Sequence, residues 1–136
     1  MTTYESAIKK ISANEDRIFA VLSDLSRLET LRDKLPQDKI KEATFSTDAV
    51  NFKIDMLGTI GFRIIEREPY KTIKFQAENS PFPVNFWIQL KQVAENDTRL
   101  KLTLKADLPT MIKMMAGSKL QEGMDQIADM LTRLSY

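Results

Sequence analysis

The chain has 136 residues, 43% hydrophobic and 29% charged, with 20 basic against 19 acidic groups and a net charge of +1. That length supports one domain with a real core over residues 1–136, and the absence of a charge block or basic stripe argues against nucleic acid as a partner. With no cysteine and no histidine, disulfides, thiolate chemistry, serine–histidine triads and the usual zinc sites are excluded.

Tyr4 to Ile11 reads as a first strand, with Tyr4, Ile8 and Ile11 apolar; the spacing from 8 to 11 breaks alternation and suggests a bulge or an early end. Ser12 stands three residues before Glu15, a capping-box spacing that starts a helix, and Ile18, Phe19, Val21, Leu22 and Leu25 give that helix its core face. Asp24 or Ser26 can cap a second short helix, in which Leu28, Leu31 and Leu35 keep helical spacing until Pro36 stops it.

A meander follows. Ile40–Phe45 is a short strand; Val50, Phe52, Ile54 and Met56 alternate with polar residues, and so do Ile60, Phe62 and Ile64, then Ile73, Phe75 and Ala77. After the rigid connector Ser80-Pro81-Phe82-Pro83, Val84, Phe86, Ile88 and Leu90 alternate, and finally Leu100, Leu102, Leu104 and Ala106. Short connections favour antiparallel pairing, and alternation leaves one face wet and one apolar.

Thr110 to Leu134 supplies the missing cover. Ile112, Ala116, Leu120, Gly123, Met124, Ile127, Met130, Leu131 and Leu134 share one face at helical period. Lys113, Glu122, Asp125, Asp129 and Arg133 face away, with Asp129 and Arg133 in an i,i+4 pair. Gly123 on the apolar face suggests close approach of helix to sheet, and Gly117 a kink. A lone long helix closing a one-sided meander requires the sheet to curve around it, and such a grip leaves room for a ligand cavity.

The order of elements is that of the helix-grip fold. Ser12-Ala13-Asn14-Glu15-Asp16-Arg17-Ile18-Phe19-Ala20-Val21-Leu22-Ser23-Asp24, then Gly61-Phe62-Arg63-Ile64-Ile65-Glu66-Arg67-Glu68-Pro69 with Lys71-Thr72-Ile73-Lys74-Phe75, and Leu120-Gln121-Glu122-Gly123 carry a resemblance to the SRPBCC superfamily over the whole chain. This superfamily includes START lipid-transfer domains, birch-pollen allergens and polyketide cyclases. The resemblance implies an α+β fold: a curved antiparallel sheet of about seven strands around a long C-terminal helix, with two short helices after strand 1. Many members carry a tryptophan after the Asp-containing helix break; here that region holds Leu28, Leu31 and Leu35.

Alternation and resemblance together give the expected ligand-binding walls: Phe52, Phe62, Phe75, Phe86, Ile88 and Leu102 on the sheet, Met115, Leu120 and Met124 on the helix, and Leu28 and Leu31 closing one end. Aliphatic and aromatic walls suit an apolar small molecule, lipid-like or polyketide-like. No cofactor or metal is expected. The resemblance also admits a cyclase or dehydratase-type enzyme, whose acid–base groups would have to be Glu66, Arg63 or Tyr4, and a protein-interaction module using the outer sheet face. Glu66 and Glu68, about 7 Å apart on one strand face, read as solvated charges entering a turn, and Arg63 faces water unless a bulge shifts its register. Met111, Met114 and Met115 cluster at the helix start, where they read either as plain packing against the second short helix or the Pro81–Pro83 loop or as an adaptable wall at a pocket mouth. Trp87, on the outer face with Asn85, Gln89 and Lys91, is a candidate anchor for a weak homodimer. The N-terminus lacks the pattern of a signal peptide and no apolar run reaches 18 residues, so the expectation is a cytoplasmic protein without a membrane span.

Overall fold

A computed structural model describes residues 2–34, 40–54 and 58–136, the side chains of 30–34, 40 and 54 excepted. Met56, Leu35 and Pro36 lie outside the described residues, as does the side chain of Leu31.

Among the described residues, eight strands form one antiparallel sheet: β1 (Thr2–Glu5), β2 (Lys9–Ile11), β3 (Ile40–Phe45), β4 (Ala49–Ile54), β5 (Gly58–Glu68), β6 (Thr72–Glu78), β7 (Val84–Ala94) and β8 (Asp97–Ala106). Their order is β1-β8-β7-β6-β5-β4-β3, with β2 also paired to β8. Helix α1 (Glu15–Leu22) and a 3-10 helix (Leu25–Lys34) follow β2, and helix α2 (Thr110–Thr132) ends the order. At 1.5 Å per residue, α2 is about 35 Å long. This is the α+β helix-grip fold, with eight strands instead of seven and with the second short helix wound as 3-10.

The extra strand comes from the irregularity before Ile11. The first run breaks at Ser6, whose hydroxyl takes over a ladder position by accepting the Leu102 N–H at 2.9 Å, while the Ser6 N–H donates to the Leu102 carbonyl at 2.9 Å. Ile8, expected on the apolar face, falls in the break and is exposed. β1 and β2 then pair with β8 one after the other, Tyr4 opposite Leu104 and Lys9 opposite Leu100.

Helix α1 is capped at Asn14 rather than Ser12, and the first of its free N–H groups is met from across the fold. The Gln92 side-chain oxygen accepts the Glu15 N–H at 2.9 Å, and the Glu15 carboxylate accepts the Gln92 N–H at 3.2 Å. The capping box therefore closes between α1 and β7. Asp24 begins the 3-10 helix, its carboxylate accepting from both the N–H and the hydroxyl of Ser26. The hydroxyl bond is the main reason that this carboxyl sits below its ordinary pKa.

The alternation of the meander lands as expected: Ile73, Phe75, Ile88, Leu90, Leu100, Leu102 and Leu104 are all buried. The tightest core gathers near β8, where Ile11, Ile18, Leu22, Leu100, Leu102 and Ala128 have almost no exposed surface. Ala128, outside the expected apolar stripe of α2, is its most buried residue.

Two residues placed on the wet face of α2 tie the helix to the first strands instead. The Asp125 carboxylate accepts the Ala7 N–H at 3.1 Å, and Asp129 pairs with Lys9 at 2.8 Å rather than with Arg133. One turn earlier, the Gln121 amide donates to the Glu5 carbonyl at 2.8 Å. Every fourth helical residue thus meets every second residue of the β1–β2 run. The match is geometric, since four helical residues rise about 6 Å and two strand residues span about 6.6 Å.

Candidate functional site

On its other flank α2 does not close onto the sheet. A partly open cavity of about 370 Å³ lies between α2 and the arm of the sheet that runs from β7 out to β3. Its floor is aromatic. Phe52 stacks on Phe62 with ring centres 5.8 Å apart, Phe62 meets Phe86 at 6.2 Å, and Phe86 meets Phe75 at 5.5 Å. The row crosses four strands because Ala77, paired opposite Phe62, adds little bulk between the rings. Three contacts at these separations are typical aromatic packing, yet Phe52, Phe62 and Phe86 are only half-buried, because their free sides face the void.

Seven of the residues expected as walls line this cavity: Phe52, Phe62, Phe75, Phe86, Ile88, Leu120 and Met124. The structure does not bring the other described ones there. Leu102 is fully buried in the closed core beside β1 and β2, and the cavity instead meets its neighbours Leu104 and Ala106 further along β8. Leu28 packs against the core, while Leu25, one 3-10 turn earlier, reaches the wall. Met115 is 54% exposed and off the wall, and Met111 and Met114 are more exposed still. Alternation and helical period report which face a residue takes, but not how far the partner surface lies.

Other lining residues went unforeseen. Phe45 on β3 and Phe82 in the Pro-rich connector are part of the wall. Gly123 lines the cavity too, and a Cβ built there meets no atom within 4 Å. The close approach expected at Gly123 is absent: the glycine opens space. At Gly117, where a kink was expected, α2 is continuous, and a Cβ would come to 3.3 Å from the Tyr4 hydroxyl. Gly117 is therefore the position of close approach. A glycine on an apolar helical face was the available sequence signal, but it does not say which of the two reasons applies.

The chemistry around the cavity is sparse. Besides apolar side chains and Gly123, the wall holds Ser80, Lys119 and Glu122, and the Ser80 hydroxyl already accepts the Phe82 N–H at 3.2 Å. Glu66 and Glu68 are exposed, and Glu66 lies opposite Lys74 on the outer face. The β5 strand does bulge, but between Ile64 and Glu66, one residue too late to turn Arg63 inward; Arg63 stays outside and pairs with Glu78 at 2.9 Å. The bulge turns Arg67 inward instead, opposite buried Ile73. There Arg67 donates to the Ser23 carbonyl at 3.2 and 3.0 Å and to the Asp48 carboxylate, which ties the end of α1 to the β3–β4 turn. Trp87 is half-buried on the outer face between the ammonium groups of Lys74 and Lys105, 5.4 and 5.7 Å from its ring centre. Among the described residues no group of three or more acidic side chains could hold a metal ion, and no helix is long and apolar enough to cross a membrane.

Residues 5–134 match the model of the CoxG family, described as a subunit of carbon monoxide dehydrogenase. No curated protein matches the chain. Among solved structures, norcoclaurine synthase from Thalictrum flavum superposes with a TM-score of 0.72 at 13% identity, over 97% of this chain and 86% of that one. A START superfamily protein from Mycobacterium smegmatis gives 0.65 at 16% identity, over 96% and 94%. A protein solved as the Aha1 dimer from Colwellia psychrerythraea gives 0.60 at 19% identity, over 98% of each chain. At these identities the superpositions show the shared SRPBCC, START-like fold.

Proposed function

The chain belongs to the CoxG family, and we propose that it is a binding protein for an apolar small molecule held between α2 and the β3–β7 arm. The observation that carries this reading is Gly123. Glycine inside a helix is worth about 1 kcal/mol less than alanine, and an alanine methyl would meet nothing within 4 Å. The sequence forgoes both helix propensity and core filling at a helical position that opens onto the aromatic floor. The volume, about 370 Å³, falls in the range of small-ligand pockets, about 300–1,000 Å³. The family description, a subunit of an enzyme, supports an accessory role for this chain rather than catalysis by it.

In this reading Phe52, Phe62, Phe75, Phe86, Ile88, Leu120 and Met124 contact the ligand. An elongated or flat apolar molecule fits walls of this kind better than a sugar or nucleotide, which would leave polar groups unpaired against phenylalanine. Association costs remove much of the gain from apolar burial, so affinity on the order of micromolar is expected. The test is Nile red, an uncharged environment-sensitive dye. It should bind the folded protein, and Gly123→Leu should weaken it by about tenfold or more while leaving the melting temperature unchanged or higher. A native protein that never binds the dye, or a Gly123→Leu variant with unaltered affinity, removes the reading.

A further inference from the structure

We propose that the molecule held in this cavity is an amphipathic anion, with an apolar tail on the phenylalanine floor and a carboxylate paired with Lys119 at the mouth. The proposal rests on the binding reading above and adds the class of ligand. Among the described residues Lys119 is the only cation on the cavity wall, and its side chain is exposed. It therefore stands where the apolar space meets water. Among the same residues it has no ion-pair partner, whereas Arg63, Arg67, Arg99 and Lys9 all have one.

The helical wheel decides between Lys119 and its acidic neighbour. At about 100° per residue, the cavity-lining positions Ala116, Leu120, Gly123 and Ile127 lie on one side of Lys119. Glu122 lies about 60° away on the other side, and Glu122 is not free. A head group leaving the cavity along α2 therefore meets the lysine first. Gly123, four residues on from Lys119 on the same side of the helix, contributes no side chain there, and a Cβ at that position would meet no atom within 4 Å. Apolar walls on one side reduce water's competition for the ion pair, so it is stronger than a fully solvated one but weaker than a buried one.

Dodecanoate and 1-dodecanol, which share a tail and differ in the head, provide the test. Each is titrated below its aggregation limit at pH 8 against protein loaded with Nile red. Three proteins are compared: wild type, Lys119→Met and Lys113→Met, the last altering an exposed lysine of the same helix that is off the cavity wall. Wild type should bind the acid about fivefold more tightly than the alcohol. In Lys119→Met that preference should vanish through loss of acid affinity alone, and in Lys113→Met it should persist. High salt should compress the wild-type preference and leave alcohol binding unchanged. Equal affinities in wild type, or a preference that survives in Lys119→Met, overturns the proposal while the binding reading stands. If neither compound displaces a bound dye, or the dye itself fails to bind, the proposal falls together with the reading on which it rests.

Discussion

On the flank facing β1, β2 and β8, helix α2 meets a closed wall: Ala128 packs into the core with Leu100 and Leu102, and Gln121, Asp125 and Asp129 bond the backbone and side chains of residues 5 to 9. On the flank facing the β3–β7 arm, the same helix presents Ala116, Leu120, Gly123 and Ile127 to empty space. Both flanks are apolar and each set of strands carries an irregularity, the break at Ser6 on one side and the β5 bulge on the other, so pattern alone does not separate them. The difference lies in what fixes the distance. A short side chain at position 128 and a row of polar bonds hold α2 against β1 and β2. No bond in that row reaches the far arm, whose curvature carries it away from the helix. A grip of this kind is anchored on one side and open on the other.

The largest expected effect tests the closed flank. Ala128→Asp puts a charge where no exposed surface remains, and should cost about 3 kcal/mol or more or prevent folding. Leu120→Asp, on the open flank, can turn its carboxylate toward the cavity mouth and should cost well under half as much. Urea denaturation of the two variants gives the comparison, and equal losses would mean that α2 is held alike on both sides.

A second pair sharpens the same contrast on the sheet. Leu102→Ala removes a fully buried side chain and should cost about 3 kcal/mol. Phe52→Ala removes a larger side chain from a wall that already faces a void. Its cost should be about 1–2 kcal/mol, because fewer packed neighbours are lost, and Nile red affinity should change with it. A Phe52→Ala variant that is less stable than Leu102→Ala would show the arm to be core.

Asp125→Ala probes the polar row and should cost about 1 kcal/mol, the usual size for losing a hydrogen bond of this kind. The loss should be less than additive with Gln121→Ala, because the Gln121 amide also donates to Asp125 at 3.3 Å. Additive losses would mean that the row acts as separate contacts.

The sheet, its antiparallel order and the long closing helix were legible because each rests on periodicity, which a sequence displays directly. The split of the first strand was half-legible: the irregular spacing before Ile11 was visible, but the role of the Ser6 hydroxyl in replacing a ladder bond depends on Leu102, almost a hundred residues away. The capping of α1 by Gln92 and the pairing of Asp129 with Lys9 escaped for the same reason, since a local rule finds a local partner first. Of the site, the phenylalanine floor was legible from alternation and fold resemblance. Met115 was misplaced because a cluster of methionines says nothing about depth. Gly123 was visible on the apolar face but its cause was not, since close packing and open space both favour glycine.

The smallest effect tests how α2 is fastened at its far end. The hydrogen bond from Lys9 is the main reason that the Asp129 carboxyl sits below its ordinary pKa of 3.8. A carboxyl whose folded value is depressed adds stability at every pH above its unfolded value and loses that addition as pH falls through the folded one. Wild type should therefore be more stable than Asp129→Asn at neutral pH, and the gap should close on acidification below about pH 4. Both partners are substantially exposed, at 29% and 47% for their side chains, so the gap at pH 7 should also shrink in 1 M salt. Urea midpoints for both proteins across pH 2 to 7 measure it. A gap that is constant with pH would assign the fastening to packing around Ala128, and the polar row would then set only the register of α2 against β1 and β2.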